Sequence, residues 1–405
     1  MNVVVGQSGG PTTVINSSLA GVYEAAVEAG AYKIYGMQNG ILGFLQERLI
    51  PLHEMLDAEK VELLKRTPAC YLGSCRYKLK SAEENAEDYE KIFAILKKYE
   101  IDCFFYIGGN DSMDTICKLA AYGKKIGSAI RFVGVPKTID NDLMVTDHTP
   151  GYGSAAKFVA TTLKEVVRDV AIYDLKSVTI VEIMGRNAGW LTAASALAKG
   201  EDCEGVDMIY LPEIPFDLDS FIEKVAEKQK TKKSLVIAVS EGIKLADGRY
   251  VCELSAADQT EDVFGHKQLA GTAQFLAGEC SKRLGIKARS IELSTLQRCA
   301  AHICSLTDIN EAYEVGAAAV RAAVAGQTGV TVTLVRVSSA PYEFTTSVVD
   351  IAKMANYEKQ VPLEWIDICN AGMLAPFIEY ARPLIQGELT PVYVDGLPKH
   401  LILNK

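Results

Sequence analysis

The sequence predicts an α/β fold made of two doubly wound α/β/α domains. Three observations carry that expectation. Short apolar runs recur along the chain, at Asn2–Val5, Asp102–Ile107, Arg131–Val135, Ser177–Ile183 and Ser234–Ser240, each the length of a buried parallel strand. Segments with apolar residues at helical spacing lie between them, as with Val14, Ile15, Leu19 and Val22. The alternation of strand and helix runs through one set before about residue 143 and a second set after it, the pattern of parallel sheets built from βα units. A length of 405 residues allows two or three domains.

Composition narrows the function. Hydrophobic residues make up 49% of the chain and charged residues 23%, enough for a large core. The net charge of -9 argues against nucleic acid as the main partner but leaves room for a small anion held by a few local cations. None of the ten cysteines forms a CxxC pair, and the five histidines do not cluster with them, so metal-ligand spacing is absent. Buried free thiols in a reducing cytosol are the simpler reading. No signal-peptide pattern and no apolar run of spanning length occurs, so a cytoplasmic protein without a membrane partner is the expectation.

The elements follow in order. Strand Asn2–Val5 leads through Gly6-Gln7-Ser8-Gly9-Gly10-Pro11 into a helix. A glycine-rich turn at a helix N-terminus suits a phosphate, although a tight βα turn explains the glycines equally well; the loop is neither GxGxxG nor a Walker A motif. Ala31–Gly36 reads as a strand and Ile50–Lys65 as a loop and helix. Gly73-Ser74 forms a turn carrying Arg76 and Lys78, two cations able to reach a polyphosphate or simply solvated. Residues 81–99 form an amphipathic helix. Strand Asp102–Ile107 ends in Gly108-Gly109-Asn110-Asp111-Ser112, where Asp111 or Ser112 is a candidate helix cap, and a helix over Ile116–Tyr122 follows.

Strand Arg131–Val135 runs into Pro136-Lys137-Thr138-Ile139-Asp140-Asn141-Asp142. A cation, a hydroxyl and two carboxylates within six residues are what phosphoryl transfer asks for: charge for the phosphate and a base for the attacking hydroxyl. In an open parallel sheet the carboxyl ends of the strands form the ligand crevice, so these three loops are expected to converge. The second set places Met184-Gly185-Arg186 after strand Ser177–Ile183 and Glu241 after strand Ser234–Ser240. A cation and a carboxylate at strand ends suit a sugar phosphate. A helix over Gly271–Leu284, an alternating, strand-like run over Arg289–Arg298, a helix over Ala312–Gly326 and a strand over Val330–Val337 complete the pattern before a less regular remainder.

Taken together, Gly9-Gly10, Leu72-Gly73-Ser74-Cys75-Arg76, Gly108–Ser112, Pro136–Asp142, Met184-Gly185-Arg186, Glu241 and Gln297-Arg298 resemble the phosphofructokinase A family, in its pyrophosphate-dependent branch. The motifs stand in family order across residues 9–298. The resemblance implies two Rossmann-like domains with the active site in the cleft between them. It divides the chain into a donor domain (1–143 plus about 299–350), a sugar-phosphate domain (144–298) and a C-terminal extension (351–405).

The implied reaction is reversible transfer of a phosphoryl group from Mg2+–pyrophosphate to the C1 hydroxyl of fructose 6-phosphate. The resemblance makes Asp140 the general base, Lys137 the transition-state cation and Thr138 a group near the phosphoryl. Asp142 is a supporting carboxylate. Gly9, Gly10, Arg76, Gly109 and Ser112 would hold the donor. Ile139, Met184, Gly185, Arg186, Glu241, Arg289, Thr295 and Arg298 would hold the sugar phosphate, one arginine often coming from a neighbouring subunit. Asn110 stands where the family often has a Mg2+-associated aspartate, and an amide is a weaker ligand. ATP-dependent relatives usually have glycine in place of Asp111 and Lys137, so both positions point to pyrophosphate. A homodimer or homotetramer is implied. An ATP-dependent phosphofructokinase and sedoheptulose 7-phosphate as acceptor are the alternatives within the family. A dinucleotide oxidoreductase would need the missing GxGxxG turn, and a sugar-phosphate sensor would need no base.

Overall fold

The computed structural model describes residues 1–254 and 269–403. Eleven strands build two main sheets. The first contains β1 (Asn2–Gln7), β2 (Lys33–Met37), β3 (Leu49–Pro51), β4 (Cys103–Gly108), β5 (Arg131–Pro136), β10 (Val330–Ser339) and β11 (Tyr342–Asp350). The second contains β6 (Ser177–Ile183), β7 (Met208–Tyr210), β8 (Ser234–Ser240) and β9 (Lys287–Glu292). The first sheet has the order β11-β10-β5-β4-β1-β2-β3 and the second β7-β8-β6-β9. The second is parallel throughout, and the first is parallel except for β3 and β11, which pair antiparallel at its two edges.

Both sheets are buried on two faces, which is why their central strands read as unbroken apolar runs. Helices Ile15–Glu28 and Leu306–Val324 cover one face of the first sheet, burying Val3, Val5, Phe105 and Val133 with Leu19 and Val320. Helices Ala86–Lys98 and Asn110–Lys125 cover the other, where Phe104 and Phe132 meet Ile92, Leu96 and Leu119. The second sheet is enclosed in the same way by helix Tyr152–Val170 on one side and by helices Leu218–Lys228 and Thr272–Leu284 on the other.

Several elements depart from the sequence reading. The helix after β4 begins at Asn110, six residues before the expected start, and neither Asp111 nor Ser112 caps it; Gly109 precedes its first turn. The run Arg289–Arg298 is not one strand: β9 stops at Glu292 and a 3-10 turn, Ser294–Arg298, follows, with Ser294 at φ 44°. β11 was not expected at all. Its residues alternate between half-buried and exposed because it is an edge strand, and so lack a continuous apolar run. The C-terminal extension after residue 350 packs against both sheets. Ile351 and Met354 pack into the core of the first sheet, whereas Val361, Phe377 and Leu384 pack into that of the second. The ten cysteines are all free. Among the described residues, no helix is long and apolar enough to cross a membrane.

Two polar clusters fix the junction between the sheets. Asp308, wholly buried, accepts from the N–H groups of Gly151 and Ser154 at 2.8 Å each, capping helix Tyr152–Val170 from a helix of the first layer. Beside it, buried His148 bonds Asp147 at 2.8 Å and Glu311 at 2.7 Å, and Tyr342 donates to the other oxygen of Glu311. Burial works against the His148 charge, but the Glu311 and Asp147 carboxylates overcome it and hold the pKa at about 9. A histidine pKa raised in the fold contributes stability that is complete below the unfolded value and lost as pH rises through the folded one. Thermal stability is therefore expected to fall between about pH 7 and about pH 10 by up to roughly 3 kcal/mol, and His148→Gln should flatten that part of the profile. Calorimetric melting across the range checks this.

Candidate active site

The carboxyl ends of β1, β4 and β5 open on the same cleft as those of β6 and β8, as the crossover rule for parallel sheets requires. The cleft encloses about 680 Å³. From the first sheet it gathers Gly9, Gly10, Arg76, Asn110, Asp111, Lys137, Thr138, Ile139, Asp140 and Asp142; from the second, Met184, Arg186, Glu241 and Arg298. Two slightly larger hollows lie elsewhere, one between helix Tyr152–Val170, residues 202–204 and the start of β8, the other between helix Ala86–Lys98 and residues 100–102 and 126–130; neither gathers the carboxyl ends of strands.

Lys137 lies at its centre. The side chain is 3% exposed, and its ammonium is 3.2 Å from the point where a Cβ on Gly9 would stand. Gly9 has φ +74°, so the turn both needs glycine for its backbone and leaves the ammonium room. Burial depresses the Lys137 pKa, opposed by the charges of Cys70, Asp140 and Asp142. Arg298 comes as close to Gly10, with its guanidinium 3.3 Å from the corresponding point. Two cations therefore flank the Gly9–Gly10 backbone, the arrangement that holds an oxyanion.

Asp140 faces this pair. Its carboxylate accepts a hydrogen bond from the Thr138 hydroxyl at 3.1 Å, and the same hydroxyl accepts from the Asp140 N–H at 3.1 Å. The carboxylate is thus fixed in direction. Burial raises its pKa, offset by the Thr138 bond and by the charges of Lys137, Arg186 and Arg298. Asp142 is pushed up to about 7 by burial and by the charge of Asp140. Glu241 is also at about 7, raised by burial and next to it by Asp140, so three carboxyls share one electrostatic environment.

No sequence pattern signals what holds Asp140 and Asp142 on one side. Asn141, between them, is in the left-handed region at φ 55° and points its side chain inward. Its amide donates to the Tyr380 hydroxyl at 2.8 Å and accepts from the Thr149 N–H at 3.1 Å. Tyr380 in turn donates to the Asp147 carbonyl at 2.9 Å. Anchoring the middle residue inward leaves the two neighbouring carboxylates facing the cleft. Gly185 and Gly242 shape the side of the cleft formed by the second sheet: the Gly185 N–H donates to Glu241 at 3.4 Å, and a Cβ on Gly242 would come within 2.0 Å of the Arg186 carbonyl oxygen.

Five singled-out residues do not line the cleft. Gly109 lies behind it at the start of its helix, and Ser112 is buried against Gly108. Gly185 acts on Glu241 through its backbone. Arg289 is exposed on edge strand β9, and Thr295 is exposed on the following turn. Asn110 lines the cleft, but both ends of its side chain are committed: the oxygen accepts from the Asn356 N–H, and the nitrogen donates to the Tyr357 carbonyl at 3.1 Å. Asn356 and Glu358 line the cleft as well, contributed by the segment that sequence patterns left unassigned.

A crevice between two α/β sheets, with glycine-loop amides, buried cations and a directed carboxylate, defines a phosphoryl-transfer protein. The phosphofructokinase family model matches residues 2–323, and the chain belongs to that family. It is 41% identical to a Methylococcus capsulatus protein named pyrophosphate–fructose 6-phosphate 1-phosphotransferase, covering 99% of this chain and 96% of that one. A protein of the same name from Xanthomonas campestris is 42% identical, covering 100% and 96%. A pyrophosphate-dependent phosphofructokinase from Nitrosospira multiformis, solved by crystallography, superposes with a TM-score of 0.89 at 38% identity, covering 99% and 95%.

Proposed function

We propose that this protein reversibly transfers a phosphoryl group from pyrophosphate to the C1 hydroxyl of fructose 6-phosphate, giving fructose 1,6-bisphosphate and phosphate. The observation that carries the reading is the buried ammonium of Lys137 between the Gly9 turn and Asp140. Asp140 accepts the C1 proton as that oxygen attacks the phosphoryl phosphorus. The new O–P bond forms while the bridging P–O bond of pyrophosphate breaks, and phosphate departs. Lys137 and the Gly9–Gly10 amides stabilise the oxygens of the transferring group. Arg186, Glu241 and Arg298 bind the sugar phosphate. Arg289, on an exposed edge strand, reaches the site of a second copy in a homodimer or homotetramer, as the family resemblance implies.

Mg2+ enters as part of the donor. Among the described residues no group of three or more His, Cys, Asp or Glu side chains is placed to hold an ion, and Asn110 is committed to the backbone of residues 356 and 357. The open Asp111 carboxylate suits a Mg2+ ion that keeps its waters and is bound mainly by phosphate oxygens. The same carboxylate disfavours the further phosphate of ATP. Domain assignment follows the sheets: residues 1–143 with 299–350 form the donor half and 144–298 the sugar half, which β10 and β11 in the first sheet support.

A coupled assay with each donor tests the reading. Turnover is expected with pyrophosphate and sugar phosphate, and turnover with ATP alone would overturn it. The pH profile is a second check. A raised carboxyl pKa keeps its proton to higher pH, so kcat/KM should fall about tenfold per pH unit below about 7 as the carboxyl cluster protonates.

A further inference from the structure

Residues 356–361 cross from one half of the molecule to the other over the cleft. Ala355 is buried in the core of the first sheet and Val361 in that of the second. The span between them is tied down on both sides. Asn110 holds the backbone of Asn356 and Tyr357 with both ends of its amide, and the Asn356 side chain donates to Asp114 at 3.3 Å. On the far side Asn187 donates to Glu358 at 3.0 Å, and the Val361 N–H donates to Glu213 at 3.0 Å. In the middle the Lys359 N–H donates to the Asp142 carbonyl at 2.7 Å, and the Trp190 indole donates to the Lys359 carbonyl at 2.8 Å.

This crossing covers a particular place. Asp111 lines the cleft on the first turn of helix Asn110–Lys125, so a donor longer than pyrophosphate that ran from the Gly9–Gly10 turn and Lys137 past Asp111 would cross that turn. Asn356 occupies that turn, bonded to Asn110 and Asp114 on its face. Glu358 adds a further carboxylate to the cleft, held by Asn187 and close enough to Asp142 to raise its pKa. A further phosphate and a nucleoside would therefore meet a polypeptide wall and a second negative charge. Asn110, which the family resemblance offers as a metal ligand, serves instead as the clamp for that wall.

We infer that residues 356–358, clamped by Asn110, form a length gauge that admits inorganic pyrophosphate and excludes nucleoside triphosphates. The inference rests on the pyrophosphate reading above. Steric closure by the segment sets the limit, and Glu358 reinforces it by charge.

The test compares two inhibitors of the full-length protein, each measured against pyrophosphate: imidodiphosphate and β,γ-methylene ATP. In the triple variant Asn356→Gly, Tyr357→Gly, Glu358→Gly, the ratio of the ATP-analogue Ki to the imidodiphosphate Ki is expected to fall at least about tenfold. Glu358→Gln alone should lower it about threefold, with the difference shrinking at high salt. Trp190 fluorescence reports release of the segment, because its indole bonds Lys359. An unchanged ratio in a folded triple variant overturns the gauge. If that variant does not fold, unchanged ratios in both Glu358→Gln and Asn356→Ala overturn it. Failure of the underlying reading is separate: it would appear as ATP turnover by the unaltered protein.

Discussion

Asp140→Asn is expected to lower kcat about a thousandfold, within the range for loss of a positioned general base, while the KM for fructose 6-phosphate moves less than about threefold. The substitution is nearly isosteric. The amide oxygen can still accept the Thr138 hydroxyl, so the turn that presents residue 140 keeps its geometry. Only proton acceptance is lost. Steady-state kinetics in both directions check the effect, and calorimetric titration of the sugar phosphate checks that the site is intact. A kcat within about tenfold of the unaltered protein would assign the base elsewhere, Asp142 being the nearest rival. The pH profile separates the two. Removing Asp140 also removes the charge that helps hold Asp142 and Glu241 near 7, so their pKa values should fall and the residual activity should lose its acid limb near neutrality.

Much of this site was legible in the sequence because parallel α/β sheets put chemistry where patterns can be read. Each strand is a short apolar run, and each loop at its carboxyl end is a break in that run. Gly9, Asp111, Asp140, Arg186 and Glu241 all lie in such breaks, and the sheets bring them together. What escaped is contributed by elements with no periodic signal. Asn141 acts through a left-handed backbone and a bond to Tyr380, which lies 239 positions away. The segment 356–361 is neither strand nor helix, and its anchors are side chains from three separate parts of the chain: Asn110, the Asn187–Trp190 stretch and Glu213. β11 escaped because half of an edge strand faces water, which removes the unbroken apolar run that marks a buried one. Its place in the motif makes Asn110 a weak metal ligand on sequence grounds, whereas in the fold its amide is already used by the backbone of residues 356 and 357.

Lys137→Met is expected to cost about two to four orders of magnitude in kcat for phosphoryl transfer, comparable to losing any fixed cation aimed at a transferring phosphoryl group. Methionine fills the buried space, so the loss reports charge rather than a cavity. Lys137→Arg should rescue little. The ammonium is buried as a compact point charge beside the Gly9 turn, and a larger planar guanidinium does not place its charge at the same point. Stopped-flow or coupled kinetics measure the rate loss, but the distinguishing readout is again pH. Among the cations facing Asp140, Lys137 lowers its pKa the most, and it also lowers that of Asp142. With it gone both carboxyls hold their protons more tightly, and the acid limb of the residual activity should move to higher pH, the direction opposite to that expected for Asp140→Asn. A large rate loss with an unmoved limb would mean that Lys137 acts at a distance from the carboxylates, through binding of the donor alone. A limb that moves upward would place the cation, the base and the phosphoryl group in one field, as a single transition state requires.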